Sequence, residues 1–241
     1  MSDLPALSQG VLRHATPSRN RCATVPGTTV RLLTQTSKMP GPSWSLPAHK
    51  ACPRANGTIC DGCYASKGCY QYSTTRNAQD TRFRWTVESI RTAEGIQAWV
   101  ETMVAVIAEA GCEYFRVHDS GDMFSSRYAE AWLEVCIRLP HVKFWIPTRA
   151  WQQPSGPLPV FDPLLNTLRK LAQLPNVAVR PSALNFGDYA PVVSALHAGS
   201  TAAMPDVFRA RQCPAYAQGG QCGECRTCWD VKDTPVSYRR H

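Results

Sequence analysis

Apolar positions in the middle of the chain recur with two alternating periods. Across residues 81–110, Ile96, Trp99, Val100, Met103 and Ile107 return at helical spacing, and Gly111 supplies the stop. Residues 113–119 then read as a short buried strand that runs into the turn Ser120-Gly121-Asp122. Ser126–Arg138 predicts a helix with Tyr128, Ala131, Trp132 and Val135 on one face, closed by Pro140. HVKFWIPTRAW, residues 141–151, is the next strand. FDPLLNTLRKLAQLP, residues 161–175, predicts a helix with Asp162 as N-cap and Pro163 at its first position. NVAVRPSAL, residues 176–184, is a further strand.

The flanks are less regular. Residues 1–27 are polar and read as an N-terminal arm, and residues 28–38, with a β-branched start, read as the first strand. A Pro-rich loop follows at residues 39–50. Residues 185–211 carry no clear period beyond one expected helix around 190–197. The strand–helix alternation predicts right-handed βαβ units and a parallel sheet, hence an α/β fold. In such sheets the loops beyond the C-terminal strand ends carry the chemistry. Ser120, Gly121 and Asp122 follow the second expected strand, Thr148 and Arg149 the third, and Arg180 the fourth, so all are expected on one face.

Composition narrows the class. A hydrophobic share of 44% and a mean hydropathy of -0.27 fit an ordinary globular chain, and no apolar run approaches membrane-spanning length. The first residues carry no apolar export signal, so a cytoplasmic location, where thiols stay reduced, is expected. Eleven cysteines in that setting point to metal or catalysis before disulfides. A net charge of +8 favours polyanionic partners, nucleic acid among them, and fits a basic soluble surface equally well.

Eight of the cysteines fall in two clusters. Cys52, Cys60, Cys63 and Cys69 follow the first expected strand; Cys213, Cys222, Cys225 and Cys228 lie near the C-terminus. Two residues between thiolates let both bind one centre from a single turn. The run CGECRTC is tighter than zinc-finger spacing and is similar to bacterial ferredoxin runs. Structural zinc stays open for each set. With Cys69 included, the first site is capped; with Cys52, Cys60 and Cys63 alone, a [4Fe-4S] cluster keeps one iron open to a ligand. Cys112 and Cys136 read as small buried hydrophobes, and Cys22 has no assignment.

The stretches CPRANGTICDGCYASKGCY, FRVHDSGDMFSSRYAEAW, VKFWIPTRAW and CPAYAQGGQCGECRTCW together resemble the mycobacteriophage gene-product-eighty-eight-like proteins, across roughly residues 28–230. That resemblance implies a bacteriophage origin and the cytoplasm of a bacterial host. More distantly, Cys60-x2-Cys63-Tyr64-Ala65 after a first strand is similar to the cluster loop of radical S-adenosylmethionine (SAM) proteins of the spore photoproduct lyase type. The gap between Cys52 and Cys60 is longer than that superfamily uses, and Tyr64 follows the last cysteine instead of an aromatic preceding it.

This second resemblance implies a TIM-barrel-like fold, a partial (β/α) barrel of parallel strands over residues 28–205, followed by a C-terminal cysteine-rich iron–sulfur segment over 206–241. It also implies SAM as cofactor, its amino group held by Ser120, Gly121 and Asp122, with Arg149 and Arg180 binding a carboxylate or phosphate. An electron donor such as flavodoxin or ferredoxin and a nucleotide or nucleic-acid substrate would be the partners. His118 and Asp119 are expected on opposite faces, with His118 in the core. Two rival readings are a non-enzymatic iron–sulfur protein for electron transfer, redox sensing or structure, and a zinc-bound nucleic-acid-binding module with Trp44, Tyr70 and Tyr72 as contacts.

Overall fold

The computed structural model of the protein describes residues 23–54, 57–152, 161–202 and 210–239. Strand β1 (Ser43–Ser45) leads through a cysteine-bearing loop to helices α1 (Ser73–Ser89) and α2 (Ala93–Glu109). Then come β2 (Tyr114–Ser120), α3 (Ser126–Arg138), β3 (Lys143–Thr148), α4 (Pro163–Gln173) and β4 (Val177–Pro181). These strands form one four-stranded sheet in the order β1-β2-β3-β4, with every neighbouring pair parallel. The α/β alternation is therefore present as the periodicity predicts.

Helices cover one face of this sheet. Trp44, Phe115, Val117, Phe144, Ile146, Val177 and Val179 from the strands join Trp99, Met103, Ile107, Tyr128, Trp132, Val135, Leu168 and Leu171 from the helices in a single core. Trp44 stands among Trp85, Trp99 and Trp132 at centroid distances of 6.3, 6.0 and 6.5 Å. Full burial of each such side chain stabilises the fold by about 1.5–3 kcal/mol. Cys136 is part of this core and Cys112 packs against it, as their apolar settings suggest. Asp162 caps α4 by accepting from the backbone N–H groups of Leu164 and Leu165.

The opposite sheet face is covered by the C-terminal segment. A second, three-stranded parallel sheet pairs β5 (Ser200–Ala202) and β6 (Arg211–Gln212) to β7 (Val236–Tyr238), in the order β5-β7-β6. The short helix α5 (Thr227–Asp230) packs on β3 and β4. Its Trp229 meets Trp145 at 5.2 Å, and the indole N–H donates to the Phe115 carbonyl at 3.0 Å.

Three expectations change. The first strand is not residues 28–38. That segment turns at Gly27, makes one antiparallel bridge from Thr34 to Ser43, and sends Leu32 into the core. The strand is instead the Ser43–Ser45 stretch inside the Pro-rich region. A β-carbon on Gly41 would lie 1.9 Å from the Tyr114 carbonyl oxygen, so this approach to β2 needs glycine. The single helix expected over 81–110 is two helices. Thr92 caps the second, its hydroxyl accepting from Gly95 N–H at 3.0 Å, which ends one periodicity and starts another. The helix around 190–197 is absent. Pro191 and a left-handed Ala195 interrupt it, and His197 bonds to β4 through both its backbone and Nδ1 at Val179.

The first 22 residues of the expected N-terminal arm lie outside the described residues. From Ala23 onward the chain is already packed, with Val25 in the core. No helix among the described residues is long and apolar enough to cross a membrane.

Candidate functional site

The loop after β1 runs across the C-terminal ends of the sheet. Leu46 N–H donates to the Ser120 carbonyl at 2.9 Å, Asp122 N–H to Ala51 at 3.0 Å, and Ile59 N–H to Leu184 beyond β4 at 2.7 Å. Three single 3-10 turns, Ile59–Gly62, Tyr64–Ser66 and Gly68–Gln71, fold the cysteine-rich stretch back on itself. Thr58 caps the first by accepting from Cys60 N–H at 3.1 Å. Arg54 anchors the loop at its far side, donating to the Asp162 carboxylate at 3.0 Å and to the Ala150 carbonyl at 2.9 Å. The loops carrying Cys52, Asp122, Arg149 and Ala183 thus meet at one end of the sheet.

Three of the four thiols in this loop share one neighbourhood. Burial pushes the Cys52 thiol far up, and the charges of Asp122, Cys60 and Cys63 push it further. Burial also raises Cys63; Cys60 adds to the rise, while the Arg149 guanidinium opposes it. Cys69 is exposed, and its charge acts on neither of these thiols.

The turn Ser120-Gly121-Asp122 serves a structural purpose. Asp122 Oδ1 accepts from the Thr148 hydroxyl at 2.6 Å and Met123 N–H at 2.7 Å, and Oδ2 accepts from Arg149 N–H at 2.7 Å. The carboxylate therefore clamps the ends of β2 and β3 together. Gly121 has φ of +89°, and a β-carbon there would lie 2.7 Å from Leu46 Cβ. The unpartnered groups are its neighbours. Ser120 Oγ and Asp119 Oδ1 are buried without a hydrogen-bond partner. Asp119 Oδ2 accepts from the Tyr70 hydroxyl at 3.1 Å, and its carbonyl accepts from Tyr64. His118 faces the other way, bonded to the Tyr128 hydroxyl at 2.9 Å, and burial holds its pKa at about 3. The opposite orientation of His118 and Asp119 follows the expected alternation, although β2 shifts register between Arg116 and Ser120.

The two arginines differ. Arg149 lies at the end of β3 with Nε donating to Ala183 at 2.9 Å, and its charge reaches Cys63. Arg180 is fully buried and turned to the other sheet face. Its five N–H groups donate to five carbonyls: Cys228 at 3.1 Å, Ala198 at 2.8 Å, Thr234 at 3.1 Å, Thr227 at 3.0 Å, and Val231. A guanidinium so occupied has no donor left for a carboxylate or phosphate. Its role is to fasten the C-terminal segment.

That segment gathers the second cysteine set. The Cys213 N–H bonds to Ser237 at 2.8 Å, Cys222 N–H to Lys38 at 2.8 Å, and Cys225 N–H to Cys222 at 3.0 Å. Burial raises the Cys222 and Cys228 thiols; Cys213 acts on both, and Lys38, Arg116 and Arg180 supply positive charge around them. The Cys225 thiol lies 3.3 Å from the Thr227 hydroxyl and Cys228 3.3 Å from the Tyr238 hydroxyl. Cys213, Cys225 and Cys228 line a cleft of ≈ 10 Å³, beside a wider hollow of ≈ 150 Å³ bordered by Lys38, Cys213, Tyr216, Tyr238 and Arg239. Among the described residues, no group of three or more His, Cys, Asp or Glu side chains is disposed around a single metal ion.

Of the nucleic-acid contacts read from the sequence, Trp44 is excluded because it lies wholly inside the core; Tyr72 is exposed and Tyr70 half-buried. Sequence reasoning passed over Tyr64 and Arg116. The repeated Cys-Tyr pairs at 63–64 and 69–70 were the available signal, since both tyrosines converge on Asp119.

No curated protein and no solved structure matches the chain, so the likeness to the radical SAM cluster loop rests on the residues themselves. A family model described as gene product 88 matches residues 15–231, from the N-terminal arm through the last cysteine cluster. The match takes in both cysteine sets and the sheet that holds them apart, and the protein belongs to the gene product 88 family.

Proposed function

We propose that the protein is an iron–sulfur enzyme of radical SAM type, with a [4Fe-4S] cluster held by Cys52, Cys60 and Cys63 at the C-terminal mouth of the sheet. The observation that carries this reading is the grouping of these three thiols at the strand ends, with Cys69 apart and exposed. A cluster of several irons takes each thiolate at a different metal atom, so it needs ligands gathered at a mouth instead of converging on one point. When bound and reduced, it supplies the electron for breaking a sulfonium bond, and the protein positions the cofactor and excludes water. The sequential order of four parallel strands, with a further parallel bridge from Ser182 to Ser200, supports a partial (β/α) barrel as the scaffold.

The chain's own groups fit a small cationic ligand beside that site. Asp119 Oδ1 and Ser120 Oγ, both buried and without partners, are the acceptors suited to the SAM amino group. Asp122, already holding three hydrogen bonds, orders the turn that presents them. Arg149 keeps its terminal nitrogens free of hydrogen bonds among the described residues, which suits a carboxylate. Cys213, Cys222, Cys225 and Cys228 hold a second, four-thiolate cluster. Exposed Tyr72, Lys67 and Arg76 follow the first site and, with the net charge of +8, favour a nucleotide or nucleic-acid substrate. The test is the electron paramagnetic resonance spectrum of the reduced protein with and without SAM. A changed signal is expected; an unchanged one removes the enzyme reading and leaves a non-enzymatic iron–sulfur protein.

A further inference from the structure

Arg116, in β2, stands between the two cysteine sets on the sheet face that carries the C-terminal segment. Its Nη2 donates to the Tyr64 hydroxyl at 3.3 Å, and Tyr64 directly follows Cys63. Its Nη1 points to Met39 Sδ at 3.8 Å, and the preceding residue, Lys38, accepts the Cys222 N–H at 2.8 Å. Nε is fixed on the His118 carbonyl at 2.6 Å. The guanidinium carbon lies 4.6 Å from the centre of the Trp145 ring, which packs on Trp229 next to Cys228. One guanidinium is therefore pinned from three sides and joined by short contacts to a ligand-bearing stretch of each set.

The charge is felt at both ends. Arg116 lowers the pKa of Cys222 and of Tyr64, and Cys63 in turn acts on Tyr64. Asp119, Tyr64, Tyr70 and Tyr238 are the groups that act on Arg116 itself. A fixed cation stabilises the reduced, more negative form of a nearby redox centre, and charge and hydrogen bonding are the means by which a protein sets cluster potentials.

We propose that Arg116 is the shared charge of two coupled clusters, a positioning residue that sets the reduction potential of both the Cys52/Cys60/Cys63 site and the Cys213/Cys222/Cys225/Cys228 site. The proposal rests on the iron–sulfur reading above. It makes the C-terminal set more than a fastening: a change at Arg116 reaches both ends of the molecule through one side chain.

The test is a redox titration of the full chain loaded without air, following the spectroscopic signal of each cluster in the wild type, Arg116→Met, Arg116→Lys and Met39→Glu. Arg116→Met should lower both potentials, and Arg116→Lys, which keeps the charge, should restore most of each. Met39→Glu leaves the guanidinium in place and sets a carboxylate against Nη1, so it too should lower both. Met39 is only half-buried, so this variant decides the matter if Arg116→Met does not fold. Potentials that stay fixed, or a shift confined to one cluster, overturn the shared role. A wild type that takes up no iron overturns the iron–sulfur reading instead.

Discussion

Replacing Arg180 by Met removes five hydrogen bonds while keeping much of the side-chain volume. Each bond from a charged donor is worth about 1.5–3 kcal/mol. Their full sum would exceed the stability of a typical domain, about 5–15 kcal/mol. The loss must therefore be capped, because the C-terminal segment can peel away and give its carbonyls to water. A cost of about 3–5 kcal/mol, the upper range for one substitution, is expected. With a urea slope of about 1–3 kcal/mol/M, the midpoint of the affected transition should fall by about 1–2 M. Trp229, 3% exposed in the native fold, reports the event directly. Its fluorescence should shift to longer wavelength before the sheet unfolds, and limited proteolysis should cut within residues 210–239 first. A variant that keeps the wild-type midpoint and a protected Trp229 would refute the fastening role.

Other expectations follow from the same geometry. Gly121→Ala forces a β-carbon against Leu46 and a side chain into positive φ, so thermal or urea unfolding should register a loss of about 2–3 kcal/mol. His118 and His197 are held neutral in the fold by burial, with pKa values of about 3 and about 4. Both therefore contribute stability above the unfolded value of about 6.5, and it is lost as pH falls below that point at about 1.4 kcal/mol per unit for each. His118→Gln should halve that acid slope in equilibrium unfolding between about pH 6 and 4.5; an unaltered slope contradicts the buried neutral imidazole. Cys69→Ser should leave the iron and sulfide content of the first site unchanged, and a loss there would make Cys69 a fourth ligand.

The alternation from residue 113 to 184 was legible because each helix carries a clear apolar face and a local stop or start, such as Pro140 or Asp162-Pro163. The convergence of loops at one sheet end followed from that alternation alone. What escaped notice depends on distant partners. Ser43–Ser45 is too short and too Pro-flanked to signal a strand; it exists because Gly41 lets it lie against Tyr114. The assignment of Arg180 to a ligand assumed that a strand-end arginine faces the mouth. Its register opposite Pro147 instead places it on the face where α5 docks, and five carbonyls there claim it. Asp122 was read as the acceptor in its turn because it is charged, yet neighbouring backbone and Thr148 saturate it, leaving Ser120 and Asp119 unpartnered. Only tertiary contact separates a structural carboxylate from an available one.

The measurement closest to the centre of this account is iron and acid-labile sulfide per chain in protein purified and reconstituted under strict exclusion of oxygen. Two four-iron clusters predict about eight of each, falling by about half when Cys213, Cys222, Cys225 and Cys228 are all replaced by Ser. Stoichiometric zinc, or a colourless chain without iron, would contradict it.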